Sequence, residues 1–164
     1  MLTRCKKIVA AMTAATLLTI HSGIVLAQNH SHSHGEEKHA QLTLNDGKKW
    51  GTDKSVRQGM SRIRNTMAAA LPAIHSGKTT AGQYLALARK MNDQITLMVK
   101  NCKLDQQADT MLHLVLAEII AGTDAMMVHD GSDPHKGAEK IVHALDNYGA
   151  YFDHPGWHGI MSDH

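Results

Sequence analysis

The sequence predicts an all-α protein, an antiparallel up-down-up-down four-helix bundle behind a disordered histidine-rich N-terminal tail. Three observations carry this. Four stretches of about twenty residues repeat apolar side chains at spacings of four and three, the period of a single helix face. Each stretch opens at an Asp or Thr suited to capping a helix N-terminus. The joins between stretches are short, which makes successive helices antiparallel neighbours.

The elements follow in chain order. Arg4, Lys6 and Lys7 precede an uncharged stretch from Ile8 to Ile20, and Val25-Leu26-Ala27 ends on a small residue. Basic, apolar and small, in that order, describe a secretory signal peptide over residues 1–27, with Gln28 as the mature N-terminus and the periplasm as the destination. The apolar run falls short of the roughly 20 residues that span a bilayer. Cys5 lies too early to take a lipid anchor, so no membrane contact is expected of the mature form. Residues 28–41, QNHSHSHGEEKHAQ, are polar and without periodicity, the composition of a disordered tail. The body is expected over 42–157, with 158–164 as a C-terminal tail. Its first residues form a linker with turn chemistry at Asn45-Asp46-Gly47, tacked to the body by Leu42, Leu44 and Trp50.

The first helix is expected over 53–75, capped by Thr52 or Asp53. Its seam is Val56, Met60, Ile63, Met67, Leu71 and Ile74. Pro72 should bend or weaken its last turn. The second, 80–101, follows Thr79 or Thr80 and carries Tyr84, Ala88, Met91, Ile95, Met98 and Cys102. The third, 105–128, starts at Asp105 with Ala108, Leu112, Val115, Ile119 and Met126 inward. Leu114, Ala117 and Ala121 make it apolar on further faces, which points to a homodimer through helix 105–128. The fourth, 134–152, has Asp133 as cap and Pro134 at its first position, with Ala138, Ile141, Leu145, Tyr148 and Phe152 as its stripe. This connectivity puts the loops 75–79 and 128–133 at one end. The other end should hold the tail, the turn 101–104 and the segment 153–164.

The chain carries a formal net charge of +2 and no block of Lys and Arg after the signal, so nucleic acid is a poor partner. Cys102 is the lone cysteine of the mature chain and cannot form an internal disulfide. Three readings of it stay open: a buried small hydrophobe, a bridge between two copies, or a soft metal ligand or redox thiol.

Histidine is over-used, and its placing carries the functional expectation. His30, His32, His34 and His39 fall within ten residues, with Glu36 and Glu37 between them. Imidazole suits copper, zinc and nickel, and alternate histidines on a flexible chain can wrap one ion. A second group, His154 and His158 with Met161 and His164, should share an end with Cys102 and the tail. Imidazole, thioether and thiolate together are copper-type ligands; the competing reading is a packed strap with Trp157 docked. A third group is His129, Asp130, Asp133 and His135, with His75 nearby, competing with ordinary capping. The seam methionines read first as core filler, His113 as a helix-flank residue and His143 as exposed.

Three stretches carry a resemblance. Gly47-Lys48-Lys49-Trp50-Gly51-Thr52-Asp53 with Arg57-Gln58-Gly59-Met60 is one. Asn101-Cys102-Lys103-Leu104 with Ala108-Asp109 and Met111-Leu112-His113 is another. Tyr148-Gly149-Ala150-Tyr151-Phe152-Asp153-His154-Pro155-Gly156 is the third. Together they resemble a family of small secreted proteobacterial helical proteins, some of which carry the label "DnrO protein". The resemblance implies a fold and a compartment, not an activity. The architecture is also similar to cytochrome c-prime, but the Cys-x-x-Cys-His haem attachment motif is missing. Catalytic signatures are missing too: no paired Glu-x-x-His, nucleophile elbow or glycine-rich phosphate loop. The expected function is therefore non-enzymatic, the buffering or sequestration of copper, zinc or nickel. An interaction or structural bundle is the alternative, and a non-covalent haem bundle a third.

Overall fold

The computed structural model describes residues 41–127 and 131–160. Four helices fill them: α1 (Lys54–His75), α2 (Ala81–Asn101), α3 (Gln106–Met126) and α4 (Pro134–Tyr151). α1 packs on α2, α2 on α3, α3 on α4 and α4 on α1, which closes the four into a bundle. The α3–α4 pair is the most intimate and the α1–α4 pair the least. Among the described residues no strand forms; the only sheet-like pairings are two isolated bridges. No described helix is long and apolar enough to cross a membrane.

Local chemistry sets the boundaries. Asp53 caps α1 by accepting from the Val56 amide at 2.7 Å. Thr80 caps α2 in a reciprocal box with Gln83, which satisfies two of the helix's orphan donors. Asp105 accepts from Gln107 and Ala108 at the start of α3, and Asp133 from His135 and Lys136 at the start of α4. Pro72 lies within α1, which runs on to His75. The helix then closes with Gly77 at φ +65°, Gly77 N–H on Ile74 O and Lys78 N–H on Ala73 O. That is the paired bonding of a Schellman stop.

Every residue of the four expected seams is buried except Cys102, which is half-buried at the C-cap of α2. Met60, Met67, Met91, Met98 and Met126 are wholly enclosed in the core. One polar link crosses it: the buried Thr123 hydroxyl on α3 lies 2.9 Å from Asn92 Oδ1 on α2.

The segment before α1 is held at the α4 C-terminus. Asp46 and Gly47 both have positive φ, and Asn45 and Lys48 exchange backbone hydrogen bonds across them in a two-residue hairpin turn. The Trp50 amide donates to Tyr151 O, and Trp50 O accepts from Asp153 N–H. Its buried indole donates to Thr43 O at 2.6 Å. Leu42 packs on the core, whereas Leu44 is exposed, so only two of the three expected anchors hold.

The C-terminal segment departs from expectation. His154, Pro155, Gly156 and Trp157 make a tight turn, closed by Trp157 N–H on His154 O with Gly156 at φ +78°. The chain then runs back as a strap between α1 and α4. Arg64 of α1 donates to the carbonyls of His158 and Gly159. Ile160, only 3% exposed, joins the core beside Leu71 and Ile74 of α1 and Ala138 and Val142 of α4. The body thus extends at least to Ile160, not to 157. The segment also leaves the end where Cys102 sits and reaches the end where α1 stops and α4 starts. The physical reason is a groove. α1 and α4 pack least closely, so an apolar side chain can be buried between them.

Candidate functional site

The signal peptide, His30, His32, His34 and His39 lie outside the described residues, as do His129, Asp130, Met161 and His164. The remaining candidates occupy three separate settings.

Cys102 sits at the end of the bundle where α1 begins, beside the Lys103 amide that donates to Asp53 Oδ2. Its single S–H has two acceptors within reach, Val99 O at 3.6 Å and Asp109 Oδ1 at 3.8 Å. Asp109 also pairs with His113 Nδ1 at 3.5 Å, one turn along α3. Burial pushes the Cys102 thiol up from its ordinary value, and the carboxylates of Asp109 and Asp53 push it further. Only a thiolate ligates metal or attacks as a nucleophile, so this setting favours the inert reading. The order of groups is also wrong for nucleophilic catalysis, which needs the histidine between nucleophile and acid. Here the carboxylate stands between.

His154 belongs to the strap. Its Nδ1 lies 3.0 Å from the Tyr148 hydroxyl and its Nε2 3.4 Å from Ser61 Oγ of α1. The ring packs edge-on to Tyr148 and against Trp157. Trp157 in turn lies across Tyr148 and over Gly149, where a Cβ would meet its Nε1 at 2.5 Å. Burial and the nearby Arg57 guanidinium hold His154 below its ordinary value, against an opposing pull from Asp153. Burial likewise raises the Tyr148 phenol. His154 is thus a pin that fixes the strap, with both ring nitrogens engaged. The His158 side chain is exposed further along the same strap.

Cys102, His154 and His158 therefore do not assemble a common ligand set. As the side chains lie, no three of the described His, Cys, Asp or Glu residues are gathered to hold a metal. His154 stays near the end where Cys102 sits, whereas the strap carries His158 away along α1.

The opposite end gathers imidazoles instead. His75 closes α1 and His135 opens α4, and their ring centres lie 6.5 Å apart. His135 Nδ1 is 3.4 Å from Glu139 Oε1, one turn along. These side chains and His143 rim a cavity of about 290 Å³. The spacing of His135, Glu139 and His143 at i, i+4 and i+8 was legible in the sequence. Reading His143 only as exposed passed over that ladder.

In comparisons with known proteins, no family model, curated protein or solved structure matches this chain.

Proposed function

We propose that this protein is a non-enzymatic periplasmic metal-binding protein, which buffers or sequesters a transition-metal ion, copper ahead of zinc or nickel. One observation carries the reading: His30, His32, His34 and His39 stand within ten residues, interleaved with Glu36 and Glu37. Clustering raises the local concentration of borderline nitrogen ligands. The geometry of the bundle adds support by subtraction. Burial, and then the carboxylates of Asp109 and Asp53, push the Cys102 thiol up from its ordinary value, and His154 has both ring nitrogens engaged. The test is a Cu(II) titration of the mature protein beside a variant with His30, His32, His34 and His39 all replaced by Ala. A loss of at least tenfold in affinity, or of the dominant site, is expected. Unchanged binding in the variant would reject the reading.

A second reading, an interaction module docking through α3, rests on Ile120, which is 40% exposed beside the exposed Ala117 and Ala121. Isolated exposed apolar residues are ordinary, and a contiguous patch is what marks an interface. Light scattering at high concentration decides it, since a strict monomer removes the dimer.

A further inference from the structure

The end of the bundle remote from Trp50 carries a second group of side chains. The floor of its cavity is apolar: Leu71 and Ile74 from α1, Ala138 and Val142 from α4, and Ile160 from the strap. The rim is His75, His135, Glu139 and His143. Three of these four come from the outward side of α4, and His75 reaches across from α1.

As they stand the three side chains do not close on a cation, but two of their separations come near what one needs. An ion held tetrahedrally at ~2.0–2.1 Å from its donors places neighbouring donor atoms roughly 3.3–3.4 Å apart. His135 Nδ1 and Glu139 Oε1 are separated by 3.4 Å, so an ion between them needs no backbone movement. Two imidazoles sharing such an ion have ring centres roughly 5–6 Å apart. The His75 and His135 rings stand at 6.5 Å. The gap closes by a small χ rotation of His75, which is exposed and free to make it on a fast timescale. His143 is excluded from the same ion. Eight residues along a helix are about 12 Å, too far from His135 for a shared centre.

We propose that His75, His135 and Glu139 form a site for one borderline divalent cation, of the zinc or nickel class, that links the C-terminus of α1 to the N-terminus of α4. Two neutral imidazoles and one carboxylate are a donor set that zinc accepts, with water completing the shell. The link falls across the least closely packed of the four neighbouring helix pairs. The ion is held only where α1 and α4 are together, so it binds the folded chain and stabilises it by mass action. The proposal uses no residue of the histidine-rich segment, so it and the tail reading fail separately.

The test uses the full-length mature protein with His30, His32, His34 and His39 replaced by Ala, titrated with Zn²⁺ alone at pH 7.5. One ion per chain is expected at micromolar affinity, with a rise of several degrees in melting temperature. Adding His75→Ala or His135→Ala should weaken binding at least tenfold and abolish the melting shift, and Glu139→Gln should weaken it severalfold. His143→Ala should leave both unchanged. These side chains are exposed or half-exposed, so the metal-free melting temperature of each variant should match its parent and report intact folding. Millimolar binding only, binding that survives both histidine substitutions, or an equal loss in His143→Ala would overturn the site. Loss of Cu(II) binding on removing the four tail histidines, with this Zn²⁺ site intact, is the outcome expected if both readings hold.

Discussion

Gly122 of α3 and Gly137 of α4 face each other so closely that a Cβ on either would lie 2.7 Å from the other's carbonyl oxygen. The neighbour is backbone, which cannot swing aside as a side chain can. This is why α3 and α4 approach more closely than any other pair. Replacing either glycine by Ala should force the helices apart and cost about 1–3 kcal/mol, as overpacking does. That outweighs the gain of up to about 1 kcal/mol in helix propensity. Gly82, near the start of α2 with open space around it, is the control. Gly82→Ala should be neutral or stabilising by a few tenths of a kcal/mol. Urea unfolding of the three variants checks both signs.

The seams make a second expectation. Leu112 is 1% exposed and Leu97 50% exposed. Leu112→Ala should cost roughly 2–5 kcal/mol through lost burial and the cavity left behind. Leu97→Ala should stay within about 0.5 kcal/mol. Comparable losses at both positions in chemical denaturation would mean that the inward faces are misplaced.

The strap should be sensitive to acid. His154 is held below its ordinary value by burial and by Arg57, while Asp153 pulls the other way. The unfolded chain, near the reference of about 6.5, therefore takes up its proton at higher pH than the folded chain does. The stability this difference contributes is complete above about pH 6.5. It falls away as pH drops through the lowered folded value. His154→Gln cannot titrate, so its melting temperature should fall less steeply than that of the wild type between about pH 6.5 and 5. Identical slopes would remove His154 as the pin.

Gly149→Ala should loosen the same strap from another side. The added Cβ would meet the Trp157 indole nitrogen at 2.5 Å, and Trp157 is packed against both Tyr148 and His154. A red-shifted tryptophan emission is the expected sign. Emission unchanged from wild type would show that the indole has room to move without leaving its place.

Metal held by the tail should follow imidazole titration. Protons compete for the same nitrogens, so Cu(II) affinity should drop steeply from pH 7 to pH 5. Residues 28–41 offer the bundle no large apolar side chain, so a tail-bound ion should barely move the melting temperature. A large shift that persists after the tail histidines are replaced would place the stabilising ion in the bundle.

Much of this architecture is legible in the chain because its causes are local. A cap needs one oxygen within three residues of the orphan amides it satisfies, and Asp53, Asp105 and Asp133 are such residues wherever the helix later packs. A seam needs only the period of the helix, so Met60 and Leu145 announce their burial through their spacing. The Asp46-Gly47 turn is local in the same way.

Tertiary structure decided what depends on two distant segments meeting. Segment 153–160 has no periodicity, and its course follows the groove left between α1 and α4. Ile160 is buried there, and His154 is bonded to Tyr148 and Ser61 instead of joining Cys102. The upward push on the Cys102 thiol comes first from its burial and then from Asp109 and Asp53, neither beside it in sequence. Gly122 and Gly137 are ordinary helix residues until the two backbones are set against each other. That His75 lies near His135, sixty positions away, follows from the connectivity, but only the packing sets their ring centres 6.5 Å apart. Spacing within one helix is a property of the chain. The groove, the crossing and the paired imidazoles are properties of the fit between helices, which side-chain volumes settle only once all four are packed.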